Sequence, residues 1–289
     1  MPLRLVNSYN KCVQLMPIYL IRMPNSHRNP GLINTLNELN LKFEIQEAIV
    51  GQSLTPEQII DNVNIRGCDA RLGYRISKSL IGSGLSHREV YKKLLQNGDE
   101  WALIIEEDVI IVDLNFRELS EALELSKSTA TIIQLFTRAT RLMDHKSKIL
   151  IGNRGRILFD FKPRVVGSGA PAYVINRLAV QKALSEPQLN GAPDWPNWAQ
   201  NVSQRGIYPW MVYETEIGST MPPLLKSRWN NFRRRLLQFI GVHYWIFHRE
   251  YPSLMAYFKE EIRPYLLYLY WKLRGSRHYL NDYDGPQTL

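Results

Sequence analysis

With 289 residues, the chain has room for one large α/β domain with additions, or for two small domains. Hydrophobic content of 45% and aromatic content of 11% support a packed core and argue against general disorder. Two cysteines, Cys12 and Cys68, argue against both a disulfide framework and a cysteine-based zinc site, and fit reduced, structural residues of a cytosolic protein. The formal charge is +9, and Lys226 to Leu289 alone holds 11 Lys/Arg against 5 Asp/Glu, a net of +6, which points to a localised anionic partner surface. No stretch approaches the roughly 20 apolar residues of a membrane span, and the polar-broken start, Met1 to Lys11, lacks the apolar core of a signal peptide.

Pro17–Arg22 is the first expected core strand, and a helix with Leu32, Leu36 and Leu39 on one face follows it. Leu41–Ile45 alternates apolar and polar, as a second strand does. Strand, helix, strand is the opening of a βαβ nucleotide-binding layer. Gly82-Ser83-Gly84 then precedes an expected helix from Leu85 to Gln96, which Gly98-Asp99 ends.

Trp101-Ala102-Leu103-Ile104-Ile105 is a short apolar run of the kind buried on both faces of a sheet. It stops at Glu106-Glu107-Asp108 and resumes as Val109-Ile110-Ile111. Carboxylates abutting a core strand are costly unless compensated, and a divalent cation compensates them well. Ligands of open α/β sheets bind beyond the carboxyl ends of strands, where these acids fall. The bland alternative is an acidic turn closing an ordinary strand.

Downstream, Phe116–Leu125 patterns as a helix and Thr131–Phe136 as a strand. Lys148–Phe161 patterns as a hairpin around Gly152-Asn153-Arg154-Gly155. Ala172–Ile175 and Arg177–Leu184 follow as strand and helix. Pro187–Ala199, rich in Pro, Gly, Asn and Trp, is a loop, and Ile207–Tyr213 is the last expected strand.

Several of these segments, in order, resemble glycosyltransferase family 25, the lipooligosaccharide galactosyltransferase type. Ile18-Tyr19-Leu20-Ile21 with Arg28 resembles its first strand and basic segment, and Gly82-Ser83-Gly84-Leu85-Ser86-His87 its serine-histidine helix start. Ile104-Ile105-Glu106-Glu107-Asp108 is similar to its leucine-glutamate-aspartate-aspartate motif, and Gly169–Ile175 to its glycine-threonine-x-alanine-tyrosine strand. Pro193-Asp194 and Gly218-Ser219-Thr220 are similar to its later elements, so the resemblance spans about residues 15–223. Glu107, Ser79 and Ala170 depart from the usual aspartate, glycine and threonine. The resemblance implies an α/β, GT-A-like nucleotide-sugar-binding fold with a mixed central sheet over residues 1–223. It further implies a nucleotide-sugar donor, with UDP-galactose as family default, and transfer to a saccharide or lipid-linked saccharide acceptor, with inversion.

A nucleoside diphosphate leaving group concentrates negative charge, which Mn²⁺ or Mg²⁺ stabilises through hard oxygen ligands. Glu106 and Asp108, two apart, point the same way if the segment stays extended, while Glu107 points elsewhere. Glu106 and Asp108 are therefore the expected metal ligands, with Arg28, His87, Glu106 and Glu107 as nucleotide-sugar-binding residues. His87 is open to three roles: phosphate contact, orientation of a carboxylate, or a structural hydrogen bond. Ser86 beside it is a candidate N-cap.

Inversion needs a carboxylate to deprotonate the acceptor hydroxyl. Asp194, between Pro193 and Trp195 and near Trp198, is the expected catalytic base, with the tryptophans offering faces to a sugar. Glu214 and Glu216 are weaker alternatives, and a structural capping role for Asp194 is the competing reading.

Residues 224–289 form an expected basic, aromatic-rich helical extension. Arg228–Arg235 and Tyr265–Arg274 set Lys and Arg beside apolar aromatic stretches, which suits peripheral docking to anionic lipid on the cytoplasmic face of a bacterial inner membrane. Packing on the catalytic domain or on a second subunit is the alternative. Nucleic acid is not an expected partner: no RRM, KH or zinc-finger signature is present, and the acids would repel a polyanion. A transferase-like scaffold without activity is the remaining rival.

Overall fold

The structure, a computed structural model, describes residues 16–72, 76–137, 144, 146–161, 169–191 and 196–215. Asp194, Trp195, Glu216, Gly218–Thr220, Cys12 and the whole basic extension lie outside them, and so do the expectations attached to them.

The first strand, β1 (Ile18–Arg22), is apolar throughout except for its last residue, and it is buried on both faces. Asn29 caps α1 (Pro30–Glu38) by accepting from the Leu32 N–H, with Pro30 pre-set at the first helical position. Leu32 and Leu36 face the core. Next, β2 (Glu44–Glu47) pairs in parallel with β1, which completes the βαβ opening. It begins later than the alternation suggests, because Leu41 and Phe43 pack in the core from the preceding connection while Ile45 is half-exposed on the sheet edge.

Two helices without a sequence-based expectation follow, α2 (Pro56–Asn62) and α3 (Ile65–Leu72). Thr55 and Gln58 form a reciprocal capping box at the start of α2. The longest helix, α4, runs Lys78–Asn97, from an N-cap at Ser77 to a left-handed Gly98. It therefore starts two turns before the expected site, and Gly82 and Gly84 sit inside it. The reason is packing against the segment after β2. A Cβ on Gly82 would lie 2.4 Å from the Ile49 carbonyl oxygen, and one on Gly51 would lie 1.7 Å from the Lys78 carbonyl oxygen. The absence of side chains permits this contact, which outweighs the helical cost of glycine. Ser86 is consequently not an N-cap: it accepts from the Ile49 N–H at 2.8 Å and donates to the Gly82 carbonyl at 2.7 Å.

The acidic segment separates β3 (Trp101–Glu106) from β4 (Val109–Ile111). After α5 (Phe116–Glu124) come β5 (Thr131–Gln134), the β6–β7 hairpin (Ile149–Ile151, Arg156–Asp160), β8 (Ala172–Asn176), α6 (Arg177–Ser185), β9 (Ser203–Tyr208) and β10 (Val212–Glu214). The expected last strand is thus two strands. Pro209 has no N–H to continue the ladder, and the chain leaves the sheet there.

Eight strands form one mixed sheet in the order β2-β1-β3-β8-β5-β9-β7-β6, and β4 pairs with β10 as a separate antiparallel ribbon. On one face the core includes Leu103, Ile105, Leu36 and Leu119, covered by α1 and α5. On the other, Ile104, Tyr173, Leu94 and Val180 are covered by α4 and α6. Arg88 fixes this second layer by donating to the Ala183, Glu186 and Pro187 carbonyls at the end of α6. Burial pulls its guanidinium below the ordinary arginine range. Each fully buried Leu or Ile contributes about 1.5–3 kcal/mol, so β3 is among the best anchored strands. Among the described residues, no helix is long and apolar enough to cross a membrane.

Candidate active site

Strands β1 and β3 run in parallel with Ile21 opposite Glu106, so Arg22 and the acid triplet emerge together at the carboxyl ends of these strands. Alternation along β3 puts Glu106 on the face of Ala102 and Ile104, beneath α4. There it meets His87, which shares the buried side of α4 with Val90, Tyr91 and Leu94. His87 Nε2 lies 2.9 Å from Glu106 Oε1, and His87 Nδ1 lies 2.8 Å from the Tyr173 hydroxyl on β8. Of the roles open to His87, the fold holds a contact with a carboxylate and a hydrogen bond to a core side chain together.

Glu107 and Asp108 form a tight turn, so the extended run stops and alternation does not carry through to Asp108. Glu106 is engaged with His87, whereas Asp108 is set beside Glu214. Glu107 is buried between two arginines, with Arg22 Nε at 3.9 Å and Arg28 Nη1 at 3.8 Å. Neither of its carboxylate oxygens has a hydrogen-bond partner among the described residues. Arg22 is braced by the Ser26 carbonyl, and the Arg28 N–H donates to Ser26 Oγ at 3.3 Å.

Asp108 Oδ1 is also buried and unpartnered among the described residues. Burial, followed by the Glu214 charge, pushes the Asp108 carboxyl above its ordinary range, against the pull of Arg28. The Thr215 N–H donates to the Asp108 carbonyl at 2.7 Å, tying the end of β10 to the turn. Asn29 Nδ2 donates to the Val109 carbonyl at 2.8 Å, so the cap of α1 holds the other side. Arg22 and Arg28 thus stand with Glu106, Glu107, Asp108 and Glu214 around one turn.

Among the described residues, no group of three or more His, Cys, Asp or Glu side chains is arranged to hold a metal ion. The orphaned buried oxygens of Glu107 and Asp108 nevertheless fit a site that accepts a cation. Trp198 departs from expectation. It is buried in the core with its ring edge-on to Tyr91 at 5.8 Å, so it presents no face to a sugar. Tyr91, Tyr173, Arg22 and Thr215 join the site without having been singled out from the sequence. Of these, Arg22, the polar residue ending a core strand, and Tyr173, the tyrosine of the Gly169–Ile175 motif, had a local signal.

An α/β sheet ending in an acid turn braced by arginines and a histidine, beyond the carboxyl ends of parallel strands, is placed where such sheets take ligands. The chain belongs to glycosyltransferase family 25 (LPS biosynthesis protein), whose family model matches residues 16–186, from the residue before Pro17 to the end of α6. It is a glycosyltransferase. Among solved structures it is similar to A197 from STIV, with 11% identity, 66% of this chain and 81% of that chain covered, and a TM-score of 0.35. It is also similar to mannose-1-phosphate geranyltransferase from Thermus thermophilus, with 13% identity, 61% and 57% covered, and a TM-score of 0.25. Neither likeness is close enough to carry an argument. No curated protein matches.

Proposed function

We propose that the enzyme transfers a sugar from a UDP-sugar, with galactose as the default, to a saccharide or lipid-linked saccharide acceptor of lipopolysaccharide. The reading includes a GT-A-type fold, inversion at the anomeric carbon and dependence on Mn²⁺ or Mg²⁺. One observation carries it: the β3–β4 turn buries carboxylate oxygens of Glu107 and Asp108 with no hydrogen-bond partner among the described residues, beside two arginines. Such groups are expensive in a finished interior and reasonable in a site completed by a ligand.

Asp108 and Glu106 are the residues that would hold the metal, and its chemistry there is to neutralise charge on the departing diphosphate. Arg22 and Arg28 are only partly buried, and Glu107 keeps their heads together without contact close enough for a hydrogen bond. Phosphate oxygens can therefore approach the paired positive charges, with the Arg22 guanidinium not hydrogen-bonded by Glu107. His87 holds the Glu106 carboxylate in one orientation. Asp194 is assigned as the base that takes the proton of the acceptor hydroxyl, and Trp195 as an aromatic surface for the acceptor. Lys226 to Leu289, with its net +6, is assigned to reversible docking on anionic lipid, which would bring the site to lipid-linked acceptors.

The test is nucleotide release by the full chain from a panel of nucleotide sugars with a saccharide acceptor, with Mn²⁺ or with EDTA. We expect UDP release from one UDP-sugar, lost in EDTA. Release from no donor, or undiminished release in EDTA, overturns the donor or the metal assignment respectively.

A further inference from the structure

Four side chains stand in one hydrogen-bonded file from the core to the site. The Tyr91 and Tyr173 hydroxyl oxygens are 2.8 Å apart, the Tyr173 hydroxyl is 2.8 Å from His87 Nδ1, and His87 Nε2 is 2.9 Å from Glu106 Oε1. Tyr91, Tyr173 and His87 are buried; Glu106 alone reaches partly into solvent. The positions of the three protons follow from the partners at the two ends.

At the outer end a carboxylate only accepts, so Nε2 of His87 must carry a proton. A neutral imidazole then has a bare Nδ1, which needs a donor, and the Tyr173 hydroxyl is in place to be one. Having donated, Tyr173 accepts from Tyr91. At the inner end, Tyr173 is the hydrogen-bond partner of the enclosed Tyr91 hydroxyl among the described residues. Reversing the file would strand the Tyr91 proton in the core and aim the Nε2 lone pair at a carboxylate, and both outcomes are unfavourable. The two ends impose the same direction.

We propose that Tyr173 and Tyr91 are positioning residues that lock His87 in its Nε2–H tautomer, so that it donates to Glu106 with a polarity fixed from the core. The file is rigidly mounted. Tyr173 lies on β8 between β3 and β5, opposite Ile104 and Gln134, and Tyr91 is wedged edge-on against Trp198. Hydrogen bonds in such a chain polarise one another, so the last of them, at Glu106, gains from those behind it. Glu106 thereby keeps one orientation while donor and product exchange. The catalytic consequence rests on the transferase reading of the acid turn; the tautomer does not.

The test is a long-range ¹H–¹⁵N spectrum of the histidine rings of the full chain at about pH 8, where ordinary imidazoles are neutral. His87 is assigned among the six histidines by the signal lost in His87→Gln. The wild type is expected to show the Nε2–H form alone, Tyr173→Phe a tautomer mixture, and Tyr91→Phe a smaller change in the same direction. In Tyr173→Phe, kcat is expected to fall about tenfold, with donor KM changed by less than about twofold. A wild-type Nδ1–H form, or an unchanged tautomer in Tyr173→Phe, overturns the lock. A shifted tautomer with unchanged kcat overturns the positioning role. If Tyr173→Phe does not fold, the wild-type spectrum still decides the tautomer. If no donor releases nucleotide, the transferase reading fails while the spectrum still decides the lock.

Discussion

Two buried acids in this fold have opposite surroundings. Glu118, on α5, touches Arg156 of β7 directly through Oε2, and Arg156 also donates to the Pro209 carbonyl at 3.0 Å and to Asp113 Oδ2 at 3.1 Å. That guanidinium is satisfied on three sides within the protein. Glu107, also buried, has its two arginines at 3.8 and 3.9 Å, beyond hydrogen-bond reach. The first arrangement binds its cation directly through Oε2, leaves only Oε1 without a hydrogen-bond partner among the described residues, and joins the hairpin to the helix layer. The second leaves both Glu107 oxygens with acceptor capacity in reserve, beyond the carboxyl ends of β1 and β3, where α/β proteins bind ligands. Burial alone therefore does not separate a structural acid from a site acid, and neither does one unpartnered oxygen; direct hydrogen bonding to a cation, present at Glu118 and missing from both oxygens of Glu107, does.

The comparison breaks most visibly at Arg156. Its replacement by Ala leaves Glu118 charged, buried and without its cation, a change that costs about 3–5 kcal/mol. For a chain of this size we expect a fall of about 10 °C in melting temperature, read by calorimetry, with donor KM of the folded enzyme unchanged. A loss under about 1 kcal/mol would mean that the hairpin cluster is as unfinished as the acid turn.

Asp108→Asn should separate stability from activity in the other direction. Turnover is expected to fall at least about a hundredfold, because the developing charge on the leaving group loses its compensation. Stability without divalent metal is expected to rise by a few degrees. The sign follows from the raised carboxyl. In the folded state Asp108 holds its proton to higher pH than in the unfolded chain. Protonation thus favours folding below the ordinary Asp range, and this contribution disappears as pH climbs through the raised value. The gain from Asn should accordingly be larger at neutral pH than at about pH 4. Thermal melts in EDTA at the two pH values check it, and a destabilised variant would place Asp108 with Glu118 among the structural acids.

Much of this contrast was legible in the sequence on one side only. The acid turn stands out because a strand buried on both faces, Ala102–Ile105, runs straight into three carboxylates, and no interior accepts that without compensation. The Arg156–Glu118 pair has no such local mark, because its members lie 38 residues apart. Tyr91 and Tyr173, 82 apart, meet only through the packing of α4 on β8. Gly82 misled in an instructive way. A glycine before an amphipathic run signals a helix start, yet here it serves the close approach of Gly51 and lies in mid-helix. Trp198 misled for the converse reason: tryptophan in a polar loop suggests a sugar platform, but its ring anchors the core beside Tyr91. The capping box at Thr55–Gln58 was visible in the residues and marks the helix that sequence reading passed over.

The smallest effect sharpens the comparison most. Glu107→Gln keeps the shape of the side chain and removes its charge from between Arg22 and Arg28. If Glu107 were a partner like Glu118, the loss would destabilise by several kcal/mol. With both pairs near 4 Å and the arginines partly open to water, we expect less than about 1 kcal/mol. The effect should appear in donor binding. Without the anion between them the two guanidinium groups repel one another and lose their common placement. They are also no longer partly neutralised, so the diphosphate gains attraction as it loses pre-organisation. Orientation matters more for a two-point contact, so donor KM should rise, by about threefold to tenfold, with kcat changed less. Steady-state kinetics beside a urea melt reads both quantities on one preparation. A large stability loss with unaltered KM would make Glu107 a second Glu118 and would remove the arginines from the donor site.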